Sequence, residues 1–191
     1  MAVGVTGAAG PVELRCEYAV NPIGIDELMP RFFWRSAAAR PGARQTAYRV
    51  RVGTTLPVGE VGAGGADDGT VWDSGKVESD QSTQIVYGGG KLKSRTRYHW
   101  QVQTWDQAGV ETPWSAAAFF EMGLLKTSEW KAQWISVPQA FDAAVCPPAK
   151  YLRRGFVVRR PLKSARLYIT ARGLYVPMLN GQRIGGDCFT P

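Results

Sequence analysis

The apolar residues of this chain come in short runs that Gly, Pro, Asn and Asp keep interrupting, and almost no long stretch repeats with a helical period. That spacing constrains the fold more than any other feature, because brief period-two segments between turn residues build sandwiches and barrels. It predicts strands over Val12–Tyr18, Arg31–Arg35, Gln45–Val52, Thr70–Asp73, Thr83–Tyr87, Tyr98–Trp105 and Ala116–Met122. In "TAYRVRVG" the alternation is clear: Ala47, Arg49 and Arg51 share one face, and Tyr48, Val50 and Val52 the other.

The stretch "KLKSRTRYHWQVQTWDQAG" is the most informative of these. Period two sends Tyr98, Trp100, Val102 and Thr104 to one face and His99, Gln101, Gln103 and Trp105 to the other, as in a half-buried strand. Upstream, Leu92, Thr96, Tyr98 and Val102 have the spacing of the tyrosine-corner strand of fibronectin type III domains, in which a Tyr hydroxyl bonds back to upstream backbone. Trp34, on an early strand, is placed to fill the space between two sheets. Trp105 and Trp114 are the best candidates for rings that could stack on sugar, although packing against a neighbouring domain explains them equally well.

Elsewhere "NPIGIDELMP" reads as a loop, and "GTTLPVGEVGAGGADDG" as a long, acidic surface loop. "LLKTSEWKAQWIS" offers one helical turn, capped by Thr127 or Ser128. "VPQAFDAAVCPPAK" is linker-like, since Pro147-Pro148 continues neither helix nor ladder. Strands are expected to resume at "YLRRGFVVRR" and "SARLYITARG", and Asn180-Gly181 is the strongest short hairpin signal in the chain. Pro177, lacking a donor, requires an edge strand or a bulge.

Several chemistries are excluded at once. His99 is the chain's single histidine, and Cys16, Cys146 and Cys188 are far apart, so neither a zinc site nor a thiol–histidine dyad has enough ligands nearby. The cysteines read as buried free thiols. "YGGGKLKS" lacks the phosphate-loop spacing and precedes a strand. Asp67, Asp68, Asp73, Glu78 and Asp80 crowd one loop region and read as solvated turn residues, not as the fixed carboxyl pair of a glycosidase. No stretch approaches the roughly 18 apolar residues of a membrane span. The first residues lack the basic and apolar segments of a secretory signal, which makes the cytoplasm the expected location. The net charge of +7 lies wholly in the last forty-one residues, where eight cations (Arg153, Arg154, Arg159, Arg160, Lys163, Arg166, Arg172 and Arg183) face Asp187 alone. Such a segment suits a polyanion, or acids elsewhere in a larger protein that would balance it.

"LRCEYAVNPIGID", "RQTAYRVRV", "VWDSGKVESDQST", "YHWQVQTWDQAG" and the run from "FEMGLL" to "EWKAQWI" resemble, in order, the N-terminal region of bacterial α-L-rhamnosidases, and "RLYITARGLYVPMLNGQRIGGD" resembles the start of the module that follows there. The resemblance covers roughly residues 13 to 191 and departs at Pro177. It implies an all-β chain, with a fibronectin-III/immunoglobulin-like sandwich over residues 11–123. A linker over 124–150 and the first strands of an incomplete jelly-roll-like β-sandwich over 151–191 would follow.

In that family an inverting hydrolysis by two acids takes place in a helical barrel far downstream. The resemblance therefore brings no catalytic residue, metal or cofactor to any position here. What it implies is a non-catalytic accessory or scaffold region, inactive alone, whose partner is the remainder of the parent enzyme. Rhamnose-containing glycans are a candidate second partner, and neither nucleic acid nor membrane is expected. The alternative class is a free-standing carbohydrate-binding β-sandwich, which would present exposed aromatics rimmed by amides and carboxylates.

Overall fold

The computed structural model describes residues 10–37, 42–56, 69–138 and 148–185. The chain divides into two compact units, residues 1–133 and 134–191. In the first, two sheets lie face to face. One is three-stranded, in the order β1 (Val12–Cys16), β3 (Arg31–Arg35), β7 (Ile85–Val86). The other runs β2 (Ile23–Ile25), β9 (Ala118–Met122), β8 (Arg97–Asp106), β4 (Gln45–Gly53), β5 (Thr70–Asp73), with β6 (Val77–Glu78) also on β4. All pairings are antiparallel except β2 with β9. This is an open, immunoglobulin-like, all-β sandwich, as the turn-punctuated pattern requires.

The strands β4 and β8 form its spine. Val50 pairs with Val102 and Val52 with Trp100, so the two predicted apolar faces coincide. Tyr98, Trp100 and Val102 are buried with Val50 and Trp34. From the opposite sheet Phe32 reaches the Trp100 ring at 4.5 Å between centroids and the Phe120 ring at 5.8 Å. Offset aromatic pairs of this kind add to the burial of their large surfaces. The tyrosine corner is formed: the Lys93 N–H donates to the Tyr98 hydroxyl at 2.9 Å. Trp34 caps the other end of the core, its indole N–H donating to Gln45 Oε1 at 2.9 Å.

Three local expectations are corrected. The segment read as a loop at Pro22–Pro30 contains β2, because Pro22 and Ile25 carbonyls accept from Glu121 and Gly123 of the β9 edge; turn residues dominate the local pattern, and only the distant partner reveals the strand. The single turn at Thr127–Glu129 is a 3₁₀ helix with Lys126, not Thr127 or Ser128, at its N-cap. The Glu129 carboxylate supplies the capping contact by accepting from the Lys126 N–H. Gln103, expected to face water, is buried for a reason given below.

In residues 148–185 the described strands are β10 (Met178–Leu179) and β11 (Gln182–Arg183). They form an antiparallel hairpin closed by Asn180-Gly181, both at positive φ (50° and 81°), as a type I′ turn demands. Pro177 stands just before the ladder, where its carbonyl accepts from Ile184 and its missing N–H costs nothing. The strands expected at Tyr151–Arg160 and Ser164–Gly173 are not present. Their alternation is real, but a strand also needs a neighbouring ladder, and the apolar side chains Phe156, Val157, Leu162 and Leu167 are exposed instead.

Candidate functional site

The face of the larger sheet that points away from the core carries an unusual set of side chains for a solvent surface. On β4, Arg49 and Arg51 both reach Asp73 of β5, through hydrogen bonds of 2.6 to 3.0 Å. Arg51 is almost wholly buried there. Asp73 is therefore not the solvated turn residue its surroundings in the sequence suggest. Burial alone would raise its pKa, but the hydrogen bonds from Arg49, the Gly75 N–H and Arg51, with the Arg49 charge, bring it down to about 2. The same partnership raises the pKa of Arg49, chiefly through the hydrogen bond to Asp73, with burial acting against it.

Two of the rings singled out from sequence sit on this face. Trp114 lies over Arg51, with the guanidinium carbon 4.6 Å from the ring centroid. Both Trp114 and Trp105 are half-buried. Trp105 of β8 stands beside Ala47 of β4 in the ladder, and this small, fully buried neighbour leaves room for the indole to extend across the sheet. The Lys76 ammonium is 5.1 Å from its centroid, and Lys76 in turn pairs with Glu78 at 2.8 Å.

Between the two rings the segment from Thr112 to Ser115 is tied down onto β8. The Gln103 amide donates to the Thr112 carbonyl (2.9 Å), and Gln101 to that of Ser115 (2.8 Å). The Val102 and Thr104 N–H groups donate to the Ser115 and Thr112 hydroxyls. This explains the burial of Gln103: its side chain is the peg on which the Trp114 loop hangs. Sequence alternation sees only that Gln103 faces outward; a segment bonded along the edge of β8 that accepts its side chain leaves no periodic trace.

Further along, His99 meets Phe119 edge-on at 6.3 Å, and Arg97 stacks on the same ring at 4.1 Å while pairing with Glu121. Burial first, and the Arg97 charge second, lower the His99 pKa, which favours the neutral imidazole. Cys16 lies in the core, where burial, then Glu17, pushes its thiol above the ordinary range. Cys146 and Cys188, like Asp67 and Asp68, lie outside the described residues.

A shallow cleft of about 510 Å³ opens beside the site, between the β5–β6 turn and β7, lined by Tyr48, Trp72, Ser74, Val77, Gln81 and Gln84 among others. Its polar groups are largely engaged: Gln84 with Tyr18 and Arg31, Gln81 with the Thr83 carbonyl, Ser74 with Val50 and Gly75. Among the described residues no group of three or more His, Cys, Asp or Glu is arranged to hold a metal ion, and no helix is long and apolar enough to cross a membrane. The carboxylates with resolved shifts are all held down by cations or hydrogen-bond donors: Glu17 chiefly by Arg31, Glu129 chiefly by Ser94, and Asp73 as above. A carboxyl in that state is a poor proton donor to a leaving group, whose partner acid is kept protonated near neutrality.

Residues 11–126 match the model of the family described as Rha78A-like, N-terminal immunoglobulin domain. The chain is 47% identical over 128 residues to an α-L-rhamnosidase of Streptomyces avermitilis, covering 67% of this chain and 12% of that one. An α-L-rhamnosidase of an Alteromonas species is 36% identical over 179 residues, covering 90% of this chain and 19% of that protein. Among solved structures, the Streptomyces avermitilis α-L-rhamnosidase in complex with L-rhamnose superposes with a TM-score of 0.60 at 44% identity, over 67% of this chain and 12% of that one. An α-L-rhamnosidase from Dictyoglumus thermophilum gives a TM-score of 0.60 at 37% identity, over 66% of this chain and 14% of that one. The chain thus spans less than a fifth of the length of the curated relatives it matches.

Proposed function

Given that the chain belongs to the Rha78A-like family of N-terminal immunoglobulin domains, we propose that it serves an α-L-rhamnosidase as a non-catalytic accessory region. The hydrolysis of terminal α-L-rhamnosides, with inversion, would be carried by the remainder of that parent enzyme. The observation that carries the reading is the coincidence of a family match over residues 11–126 with a well-packed sandwich in which the Asp73 and Glu17 carboxylates are engaged in holding the fold.

The second unit fits the same role. Tyr151, Phe156, Val157 and Leu174 are all more than two-thirds exposed, and side chains of this kind mark an interface where they form one patch. We assign residues 151–191 to the opening of a second β-sandwich that further strands of the parent enzyme would complete, with acids there meeting the basic segment.

A chimera tests this reading. The Streptomyces avermitilis enzyme would carry residues 11–126 of this chain in place of its own matching segment, beside a version with that segment deleted. The chimera is expected to hydrolyse a chromogenic α-L-rhamnoside at the rate of the parent enzyme, while the deletion loses thermal stability. The 191-residue chain alone is expected to show no turnover. A deletion as stable and active as the parent, or turnover by the isolated chain that is lost on mutating one of its acids, would refute the proposal.

A further inference from the structure

We infer that the outer face of the larger sheet is a platform for a neutral oligosaccharide, with the Trp105 and Trp114 rings as its two stacking surfaces. The identity of the sugar, a rhamnose-terminated chain, rests on the family reading above; the platform itself rests on geometry.

Each ring is held by a cation, Trp114 by a buried one and Trp105 by a surface one. Trp114 lies on the buried Arg51 guanidinium, which Asp73 fixes in turn, and its loop is pinned by Gln103 and Gln101. Trp105 is held beside Lys76. Cation–ring contacts of this kind stabilise by roughly 0.5–2 kcal/mol. A half-buried ring so fixed would bind without the entropy loss that immobilising a mobile side chain costs.

Spacing and chemistry point to a sugar over other occupants. Ala47, beside Trp105, and Arg51, under Trp114, are four residues apart on one strand, about 13 Å at the ordinary strand rise. That separation suits an extended chain of several pyranose rings more than one small ligand. Between the two rings lie Arg49, Gln101 and Gln103, so no continuous apolar patch forms of the kind a protein partner buries at its centre. The cations Arg49, Arg51 and Lys76 are nearly matched by Asp73 and Glu78, so the face has no strong field to draw a polyanion. What remains is apolar ring faces alternating with polar groups. Lys76 and Glu78, paired with each other and with side chains 45% and 70% exposed, form a polar border beside Trp105. A pyranose, apolar on its C–H face and polar at its rim, matches that pattern.

The test uses the full chain labelled with ¹⁵N, whose seven tryptophans each give one indole N–H signal. A rhamnose-terminated oligosaccharide, free L-rhamnose and a sulfated polysaccharide would be titrated in turn. Saturable shifts are expected at Trp105 and Trp114 with the oligosaccharide, and weaker ones with the monosaccharide. No shift is expected with the polyanion at this face, nor at the core rings Trp34 and Trp100. Trp105→Ala should weaken binding roughly tenfold, as loss of one stacking contact, with the amide spectrum showing the fold intact. Trp114→Ala uncovers Arg51 and lowers stability, so Trp105→Ala carries the decision. Tyr18→Ala, which removes an exposed ring on the other sheet, should leave affinity unchanged. Absence of any indole shift up to the solubility of the sugar overturns the inference. So do shifts confined to Trp130 or Trp134, or unchanged affinity in Trp105→Ala. Each of these would leave the chimera result above untouched. Binding in a chain whose chimera fails would instead keep the platform and reject the accessory role.

Discussion

Asp73 offers the sharpest test of how the larger sheet is held. Its carboxylate is one-quarter exposed and bonds Arg49 at 2.6 Å and Arg51 at 3.0 Å, the latter only 6% exposed. A carboxyl held at about 2 instead of its ordinary 3.8 contributes about 2 kcal/mol to stability above pH 4. Because the folded-state value is the lower one, this contribution is complete above the unfolded value and is lost as pH falls from about 4 through about 2. Asp73→Asn, which keeps the shape and removes the charge, should therefore cost about 2 kcal/mol at pH 7 and flatten the loss of stability between pH 4 and pH 2. Asp73→Ala should cost more, about 3–5 kcal/mol, since the buried Arg51 loses the counter-charge of Asp73. The double variant Asp73→Ala/Arg51→Met removes that penalty and should recover most of the loss. Urea unfolding followed by tryptophan fluorescence, repeated from pH 7 to pH 2.5, measures all three. If Asp73→Ala unfolds within about 0.5 kcal/mol of the natural chain, or the double variant is no more stable than the single one, Asp73 does not hold the sheet as described.

Three further outcomes follow from the packing. Trp100, fully buried and in ring contact with Phe32, should cost about 3–5 kcal/mol when cut to Ala, read as a lowered urea midpoint; a loss below about 1 kcal/mol would mean the site collapses or was never packed. Tyr98→Phe removes the acceptor for the Lys93 N–H and should cost about 1–2 kcal/mol in thermal unfolding, with no change expected if water replaces the hydroxyl at no penalty. In hydrogen exchange, amides of β4 and β8 should be protected far longer than those of residues 151–173, which have no ladder. Equal protection in the two segments would show that the second unit closes on its own.

The fold of the first unit was legible because its signals are local and mutually consistent. The alternation in Tyr98–Trp105 and in Gln45–Val52 matches the observed burial of Trp100, Val102, Val50 and Val52, and Arg31–Arg35 and Thr70–Asp73 have the strand limits expected. The Asn180-Gly181 turn was readable for the same reason: positive φ at both positions restricts which residues can stand there. Two kinds of feature escaped. β2 depends on the β9 edge almost a hundred residues away, and its own Pro and Gly argue locally for a loop. Tyr151–Arg160 has a strand's composition but no neighbour to pair with, and composition carries no information about neighbours.

The outer face shows where pattern reading stops for a deeper reason. Period two assigns Arg49, Arg51, Gln101, Gln103 and Trp105 to the side away from the core, and that assignment is correct. Outward is not the same as exposed. The Thr112–Ser115 segment bonds along the edge of β8, its Trp114 ring lies on Arg51, and Arg51 and Gln103 are buried without any change in the alternation. One clue was present: two arginines at alternate positions of a central strand need counter-charge, and the acid in "VWDSG" ends a strand predicted from the same pattern. Pairing those strands in antiparallel register would have brought Asp73 to Arg51 and removed it from the solvated acids. The position of Trp114 has no such clue, because a ring on a loop acquires its partner only from the path the loop takes. Trp105 and Trp114 could thus be named from sequence as candidates, while the cations that orient them, Lys76 and Arg51, emerge only once the sheet is assembled.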